Sequence, residues 1–296
     1  MKTLTILFLA HLLADFVLQP DSLVRLKSDR TSKLSLWNKG VFIHSCIQMI
    51  SSIVLLAIIG ELRPVLLLPV FLISVFHYLI DDSKPNGKDK AAWVLIFDQF
   101  AHVFIIYGVL WVFKLVLPLP DIGTYLVSLG SHQIPLSLAS KIILGSIAVV
   151  CLVWVSGQLI KAIMGQLRLR PFGQTSDSSN KDKPSLSTEA ASFSEKTGGT
   201  NTPRQTPGLS TPESKQDETN AVSIGLYIGY LERLLIVFFM ISGIYTGLGL
   251  LGTLKTIARF KQLENRENAE YFILGTLLSM LMGIFFGALL TWVIKY

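Results

Sequence analysis

The sequence has few charged residues, and this scarcity indicates what kind of protein it encodes. Of its 296 residues only 16% are Asp, Glu, Lys or Arg, whereas 51% are hydrophobic. An ordinary soluble domain carries about 25% charged residues. The composition therefore excludes a typical water-soluble domain and indicates an integral membrane protein.

Several familiar signatures are also missing from the chain. Strand-like alternation of apolar and polar residues does not occur, which argues against a transmembrane β-barrel. The sequence has no HExxH, GxSxG, Walker or CxxC motif, so the usual marks of zinc proteases, serine hydrolases, NTPases and thiol redox enzymes are absent. The two cysteines, Cys46 and Cys151, lie in apolar runs, where a small buried side chain is their ordinary role.

Long apolar runs are the main feature that is present. They lie at about 3–19, 41–60, 63–81, 92–117, 139–165, 223–252 and 269–294. Each is close to the roughly 20 residues that a membrane-spanning helix needs. The sequence therefore predicts an all-α fold, a polytopic transmembrane bundle with six or seven membrane helices.

The runs divide the chain into four parts. Residues 1–117 are predicted to form a four-helix membrane domain, and 118–170 an outer loop with a fifth membrane helix. Residues 171–221 are rich in Ser, Thr, Pro, Gly and charged residues, a composition typical of a disordered linker. Residues 222–296 are predicted to form C-terminal membrane helices with an interfacial helix near 255–267.

Charges in the loops and in one apolar run bear on topology. The loop at 20–40 carries five Lys or Arg and the loop at 83–91 carries three, while 118–138 has none. The positive-inside rule then places the N-terminus outside and the linker in the cytoplasm. Glu232 and Arg233 interrupt the run at 223–252, which predicts a broken or re-entrant element there; an ion pair is their simpler role.

Histidine and aspartate recur at one spacing. Four of the five histidines lie in apolar runs, and three of those are four residues from an aspartate. An i, i+4 spacing places both side chains on one face of a helix. The pairs are His11 with Asp15, His77 with Asp81, and His102 with Asp98, and His44 adds a fourth imidazole.

These residue types are the ligands that zinc, manganese and iron use in proteins. At 1.5 Å per residue, the predicted helices place the four histidines within about 15 Å of the cytoplasmic edge. A shared divalent metal site in the cytoplasmic leaflet is therefore predicted. Its ligand set would be His11, Asp15, His44, His77, Asp81, Asp98 and His102.

Chemical roles follow from this hypothesis. A metal makes hydroxide from water near neutral pH, and an aspartate that does not bind it would act as the base. Asp81 and Asp98 are the candidates for that catalytic role. Lys84 is a candidate phosphate contact, although a membrane anchor is its simpler role, and Gln99 beside Asp98 is a candidate for orienting a ligand.

Three functions fit these residues. The first is a metal-dependent hydrolase acting on a phosphorylated lipid or a similar substrate. The second is a cation or proton transporter or channel that uses the same groups, and the third is a structural or regulatory membrane subunit. The lipid bilayer is the expected partner and no nucleic acid is expected. GxxxG spacings in the last third of the chain are common by chance in such helices, so no dimer is inferred from them.

Three strings carry a resemblance to a known family: HLLADFVLQ at 11–19, HYLIDDSK at 77–84 and FDQFAH at 97–102. They resemble a bacterial family of integral membrane proteins of unknown function, over roughly the first 115 residues. The strings GYLERLL, KTIARF and AEYFILGTLLS resemble the segment C-terminal to that domain in longer members. The resemblance implies a multi-pass protein of the cell inner membrane. A more distant likeness to membrane-bound metal-dependent hydrolases implies a hydrolytic reaction.

Overall fold

The computed structural model describes residues 1–28, 38–84, 92–131, 136–169, 212–258, 260 and 266–295, and these contain no β-strand. The helices of the first part are α1 (Lys2–Leu12), α2 (Asp21–Ser28), α3 (Lys39–Ile58), α4 (Leu67–Ser83), α5 (Ala92–Val112) and α6 (Leu119–Gly130). The later helices are α7 (Leu138–Val150), α8 (Ser156–Leu169), α9 (Pro212–Ser242), α10 (Thr246–Ala258) and α11 (Arg266–Lys295). A π-helical turn, Leu13–Val17, extends α1, and a second, Cys151–Val155, joins α7 to α8.

Five helical segments in the described residues are long and apolar enough to cross a membrane. They are Lys39–Ile58, Pro64–Ser83, Ala92–Val112, Leu138–Leu167 and Ala269–Lys295. A sixth is added if Lys2–Val17 and Asp21–Lys27, which are bent by 91° at a short break, count as one span. The predicted class, an all-helical protein with apolar helices of membrane-spanning length, is thus confirmed. The predicted number of membrane helices was six or seven, whereas the described residues contain five, or six if the bent pair is counted as one span.

Helix α1 lies at the centre of the N-terminal domain. Its residues Ile6, Leu7 and Ala10 are fully buried, and α3, α5 and α7 pack against it. Apolar side chains such as Phe42 and Phe104 are exposed on the outer faces of α3 and α5, as expected for helices that contact lipid rather than water. A helix that is apolar on every side belongs in the middle of such a bundle.

The run at 223–252 is broken at Gly243 and not at Glu232 and Arg233, where the break was expected, because α9 continues through both charged residues. There φ is +73°, a conformation that glycine adopts without steric cost. The amide of Ile244 donates to the carbonyl of Phe239 over 2.9 Å, which closes the end of α9. The predicted interfacial helix near 255–267 falls on the last turn of α10 and the first residues of α11, and residues 259 and 261–265 between them lie outside the described residues.

The two charges in α9 have separate partners. The ammonium of Lys255 in α10 lies 2.5 Å from the carboxylate of Glu232, so Glu232 forms an interhelical ion pair, but with Lys255 and not with Arg233 as expected. Arg233 is only 4% exposed, and its Nη2 donates to the carbonyl of Val153 over 3.2 Å. Val153 lies in the π-helical segment between α7 and α8, so Arg233 connects α9 to that segment.

Glycines allow the last two long helices to approach each other closely. A Cβ on Gly283 would lie 2.9 Å from Ile236, and one on Gly287 would lie 3.0 Å from Met240. This GxxxG pair therefore serves contact between α9 and α11 within one chain. Of the predicted linker at 171–221, residues 171–211 lie outside the described residues and the remainder begins α9.

Candidate metal centre

Four helices bring the four intramembrane histidines together. His11 comes from α1, His44 from α3, His77 from α4 and His102 from α5. The ring centroids of His11 and His102 are 4.7 Å apart, those of His77 and His102 are 4.5 Å apart, and those of His44 and His77 are 5.0 Å apart. All four residues are at most 2% exposed. Residues that are far apart in the chain thus form one buried cluster.

Asp15 lies at the meeting point of three of these imidazoles. Its Oδ1 is 3.1 Å from His44 Nε2, 3.5 Å from His77 Nε2 and 3.7 Å from His11 Nδ1. In a tetrahedral zinc site with metal–ligand bonds of about 2.0–2.1 Å, neighbouring ligand atoms are about 3.3 Å apart. The observed separations are therefore close to those of a ligand cage. Asp15 lies in the first π-helical turn, a distortion that is frequent at functional sites.

The tautomer of His11 is fixed by the glutamine that the sequence indicated. His11 Nε2 lies 3.2 Å from Gln99 Oε1, and Gln99 Nε2 lies 3.5 Å from the Asp98 carboxylate, which orients the amide. An imidazole nitrogen facing an amide oxygen carries the proton. The lone pair of His11 is therefore on Nδ1, which faces Asp15 and has no hydrogen-bond partner among the described residues.

His102 shows the same arrangement on another helix. Its Nδ1 donates to the backbone carbonyl of Asp98 over 2.8 Å. The lone pair is then on Nε2, which lies 3.7 Å from Asp81 Oδ1 and finds no hydrogen-bond donor in the described part of the chain. With neutral imidazoles, two buried lone pairs thus face two carboxylates, an arrangement that is unfavourable unless a metal ion or an additional proton lies between them.

Lysines neutralise the carboxylates at one edge of the cluster. Lys27 Nζ lies 2.6 Å from Asp81 Oδ2, and Lys84 Nζ lies 2.5 Å from Asp81 Oδ1 and 2.8 Å from Asp98 Oδ1. Burial lowers the pKa of the Lys84 ammonium, but the facing carboxylates raise it by more, so its pKa lies above the ordinary value. Lys84 therefore stays charged at neutral pH.

Lys27 was not among the predicted site residues, and two close contacts hold it in place. A Cβ on Gly40 would lie 2.5 Å from the backbone nitrogen of Lys27, so α2 lies directly against the start of α3. The side chain of Asn38 donates to the carbonyl of Lys27 over 3.0 Å, and its Oδ1 caps α3 by accepting from the amide of Val41 over 3.2 Å. Only this docking of α2 brings Lys27 to Asp81.

Three overlapping groups within the described residues could hold a metal ion. In each group the candidate ligand atoms all lie within 4.8 Å of one another. Mixed imidazole and carboxylate ligands suit zinc, manganese or iron. The groups are His11, Asp15 and His77; His44, His77 and Asp81; and Asp81, Asp98 and His102. Every residue of the predicted ligand set therefore occurs in at least one group.

Comparison with known proteins locates the cluster within a recognised domain. Residues 3–122 match the model of a family described as a protein of unknown function (DUF3307). No curated protein and no solved structure matches the chain. The match confirms a domain of unknown function over the segment that contains the three sequence strings, and it extends a few residues beyond the first 115. All four clustered histidines and their three aspartates lie inside the segment covered by this domain of unknown function, DUF3307.

Proposed function

We propose that the cluster binds a divalent metal ion and that the protein is a membrane-embedded, metal-dependent hydrolase. One observation supports this best: the lone pairs of His11 Nδ1 and His102 Nε2 each face a carboxylate. Neither nitrogen has a hydrogen-bond partner among the described residues. A cation between each pair would turn this repulsion into attraction.

His11, Asp15 and His77 form the group that would best hold the metal, because their ligand atoms all lie within 4.8 Å of one another. His11, His44 and His77 approach one oxygen of Asp15 at ligand-to-ligand distances, and neither lysine of the cluster pairs with that carboxylate in the ion pairs of the described residues. Two imidazole nitrogens and one carboxylate oxygen are the protein ligands of many catalytic zinc sites, which keep a fourth position open. His44, which is hydrogen-bonded to the same oxygen of Asp15, belongs to the neighbouring group with His77 and Asp81. When bound, such an ion polarises a substrate oxygen and lowers the pKa of water toward neutrality.

Asp98 is the best candidate for the general base. Asp81 receives an ammonium group on each of its oxygens, which makes its carboxylate a weak proton acceptor. Asp98 has Lys84 and Gln99 as partners, and its side chain is 15% exposed, against 1% for Asp81. Asp98 therefore lies where water and substrate reach the cluster, and it would accept the proton of the attacking water.

The edge of the cluster that is open to solvent favours an anionic substrate. Lys27 and Lys84 have side chains that are 17% and 28% exposed, whereas the four imidazoles are almost fully buried. A phosphate group approaching this edge would meet two ammonium groups before it met the metal. Because the edge belongs to the predicted cytoplasmic end of the bundle, a phosphorylated lipid of that leaflet is the proposed substrate.

The alternative is a cation or proton pathway across the membrane, and a row of buried polar side chains is relevant to it. Ser74 donates to Gln48 over 2.7 Å, and Gln48 donates to Ser52 over 3.2 Å, so buried polar groups extend from His44 and His77 deeper into the bundle. Beyond them lies an apolar cluster that includes the fully or almost fully buried Ile6, Leu56, Leu66 and Val70. This apolar layer favours a site that opens on one side over a cation or proton pathway.

The proposal is tested by hydrolysis with matched variants. Detergent-purified protein loaded with zinc, manganese or iron is expected to release inorganic phosphate from vesicles that contain phosphatidic acid. Asp98→Asn should keep the metal and lose release, whereas His77→Ala should lose both; Asp121→Asn, a change on the exposed face of α6, should lose neither. Full phosphate release by Asp98→Asn would contradict the assigned base. If protein without bound metal carries protons into proteoliposomes, a transport pathway is favoured instead. If His77→Ala and Asp98→Asn reduce only the abundance of the protein, a structural subunit is favoured.

A further inference from the structure

Among the residues that the structure describes, the carboxylates of the cluster outnumber the ammonium groups that pair with them. Three carboxylates, Asp15, Asp81 and Asp98, face two ammonium groups, those of Lys27 and Lys84. With neutral imidazoles one negative charge is left uncompensated. Both ammonium groups lie on Asp81, one at each oxygen; Lys27 comes from α2, and Lys84 is the residue that follows α4.

A divalent ion between Asp15 and its imidazoles would reverse the sign of this balance. The cluster would then carry one excess positive charge at the edge where the lysines lie. In a buried site of low effective dielectric, the ion repels each ammonium group, and this repulsion offsets part of the attraction that holds the ammonium group at Asp81. The same excess charge attracts an anion to that edge.

The geometry of the lysine pair fits a phosphate group. In the structure, two ammonium groups bridge two oxygens carried by one carbon atom, the carboxyl carbon of Asp81. A phosphate also presents two oxygens on one atom, so it can be bridged by the same two ammonium groups after a small rotation of the lysine side chains. Lysine stems are long and have many rotamers, which makes such a rotation easy.

We propose that Lys27 and Lys84 form an anion-binding pair for a phosphate monoester, and that the pair releases Asp81 and binds phosphate only when the metal is present. This inference rests on the proposed function and deepens it, because it assigns to the lysine pair an exchange of partner, from Asp81 to phosphate, and an order of binding. Metal binds first, and phosphate second. Gly40 and Asn38 are positioning residues, since they hold the segment of α2 that carries Lys27.

The test is calorimetric titration of the full-length, detergent-purified protein with inorganic phosphate. Metal-loaded wild type is expected to bind phosphate at least about tenfold more tightly than metal-stripped protein. Lys27→Met and Lys84→Met should each weaken binding by about tenfold, the loss of one charge-assisted hydrogen bond. Lys27→Arg should restore most of the affinity. Lys39→Met is the matched control, because Lys39 is exposed at the same end of the bundle, and it should bind as wild type does.

Metal content, measured on the same samples, separates the two proposals. If wild type holds metal but Lys27→Met and Lys84→Met bind phosphate as wild type does, the lysine pair is refuted and the metal site stands. Equal binding by stripped and loaded protein refutes the order of binding. A wild type without metal refutes the proposed function, and the inference with it.

Vesicles distinguish a lipid headgroup from free phosphate. Nanodisc-reconstituted protein is mixed with vesicles of phosphatidylcholine that contain or lack phosphatidic acid, or with inorganic phosphate alone. The measurement is how well each phosphate source protects the bound metal from a chelator. If phosphatidic acid protects it at a lower total phosphate concentration than free phosphate does, and the protection depends on the two lysines, the site binds a headgroup in the bilayer. Equal protection by both sources assigns it to phosphate alone, and protection by neither overturns the anion pair.

Discussion

Gln99 offers a sharp test of how the metal ligands are oriented. Its amide oxygen accepts from His11 Nε2 over 3.2 Å and thereby keeps the lone pair of His11 on the nitrogen that faces Asp15. Replacing Gln99 by Leu removes this acceptor without adding charge. The imidazole is then free to place its proton on either nitrogen, and one of the two tautomers does not bind metal at Nδ1.

The expected loss is in metal affinity rather than in folding. A partner that orients a metal-bound imidazole is typically worth 10–100-fold in affinity, which corresponds to about 1.4–2.7 kcal/mol. The hydrogen bond itself contributes about 0.5–1.5 kcal/mol to stability. Gln99→Leu should therefore raise the dissociation constant for the metal by at least about tenfold and lower the Tm only modestly.

The assay is competition between detergent-purified protein and a chelator that changes colour on binding zinc. Gln48→Leu serves as the matched control, because Gln48 is a fully buried glutamine that bonds to Ser74 on the neighbouring helix. That variant should lose stability and keep the metal affinity of wild type. If Gln99→Leu binds zinc within twofold of wild type, the proposed tautomer of His11 is wrong.

Three further substitutions test packing and ligation. Gly40→Ala should destabilise the protein by about 1–3 kcal/mol and lower its Tm, because its Cβ would meet the backbone of Lys27. Gly108→Ala is the control: a Cβ there lies in open space on α5, and the Tm should not fall. Gly283→Ala should lower the Tm because its Cβ would meet Ile236, and Gly249→Ala, with open space around it, is the control. Asp15→Asn should weaken metal binding at least about tenfold in the chelator assay, since three imidazoles face this carboxylate; unchanged affinity would place the metal elsewhere.

The helical class and the histidine cluster could be predicted because both depend on local periodicity. An i, i+4 spacing fixes which face a pair of side chains shares, and runs of membrane-spanning length place those faces at a common depth. His77 and Asp81 therefore share a face as their spacing predicts, with 3.9 Å between Nε2 and Oδ2. The contact of Asp15 with His77 joins two helices that no spacing relates, and only the common depth of the runs indicated it.

Features that depend on how distant segments dock could not be predicted. The loop at 20–40 contains five basic residues, and nothing in their spacing distinguishes Lys27, which reaches Asp81 only because Gly40 lets α2 approach α3. Arg233 looked like half of an ion pair, yet its partner is a backbone carbonyl in a π-helical segment far away in the chain. A glycine in the first turn of a helix, such as Gly40 in α3, is the signal that could have indicated such a close approach.

Metal content of the purified protein tests the central claim most directly. Plasma mass spectrometry on detergent-purified wild type, His77→Ala and His102→Ala measures bound zinc, manganese and iron per chain. We expect one or two equivalents in wild type, and a loss in both variants while they remain folded and membrane-inserted. Wild-type protein that holds no metal, even after incubation with each ion, would contradict the proposed metal centre.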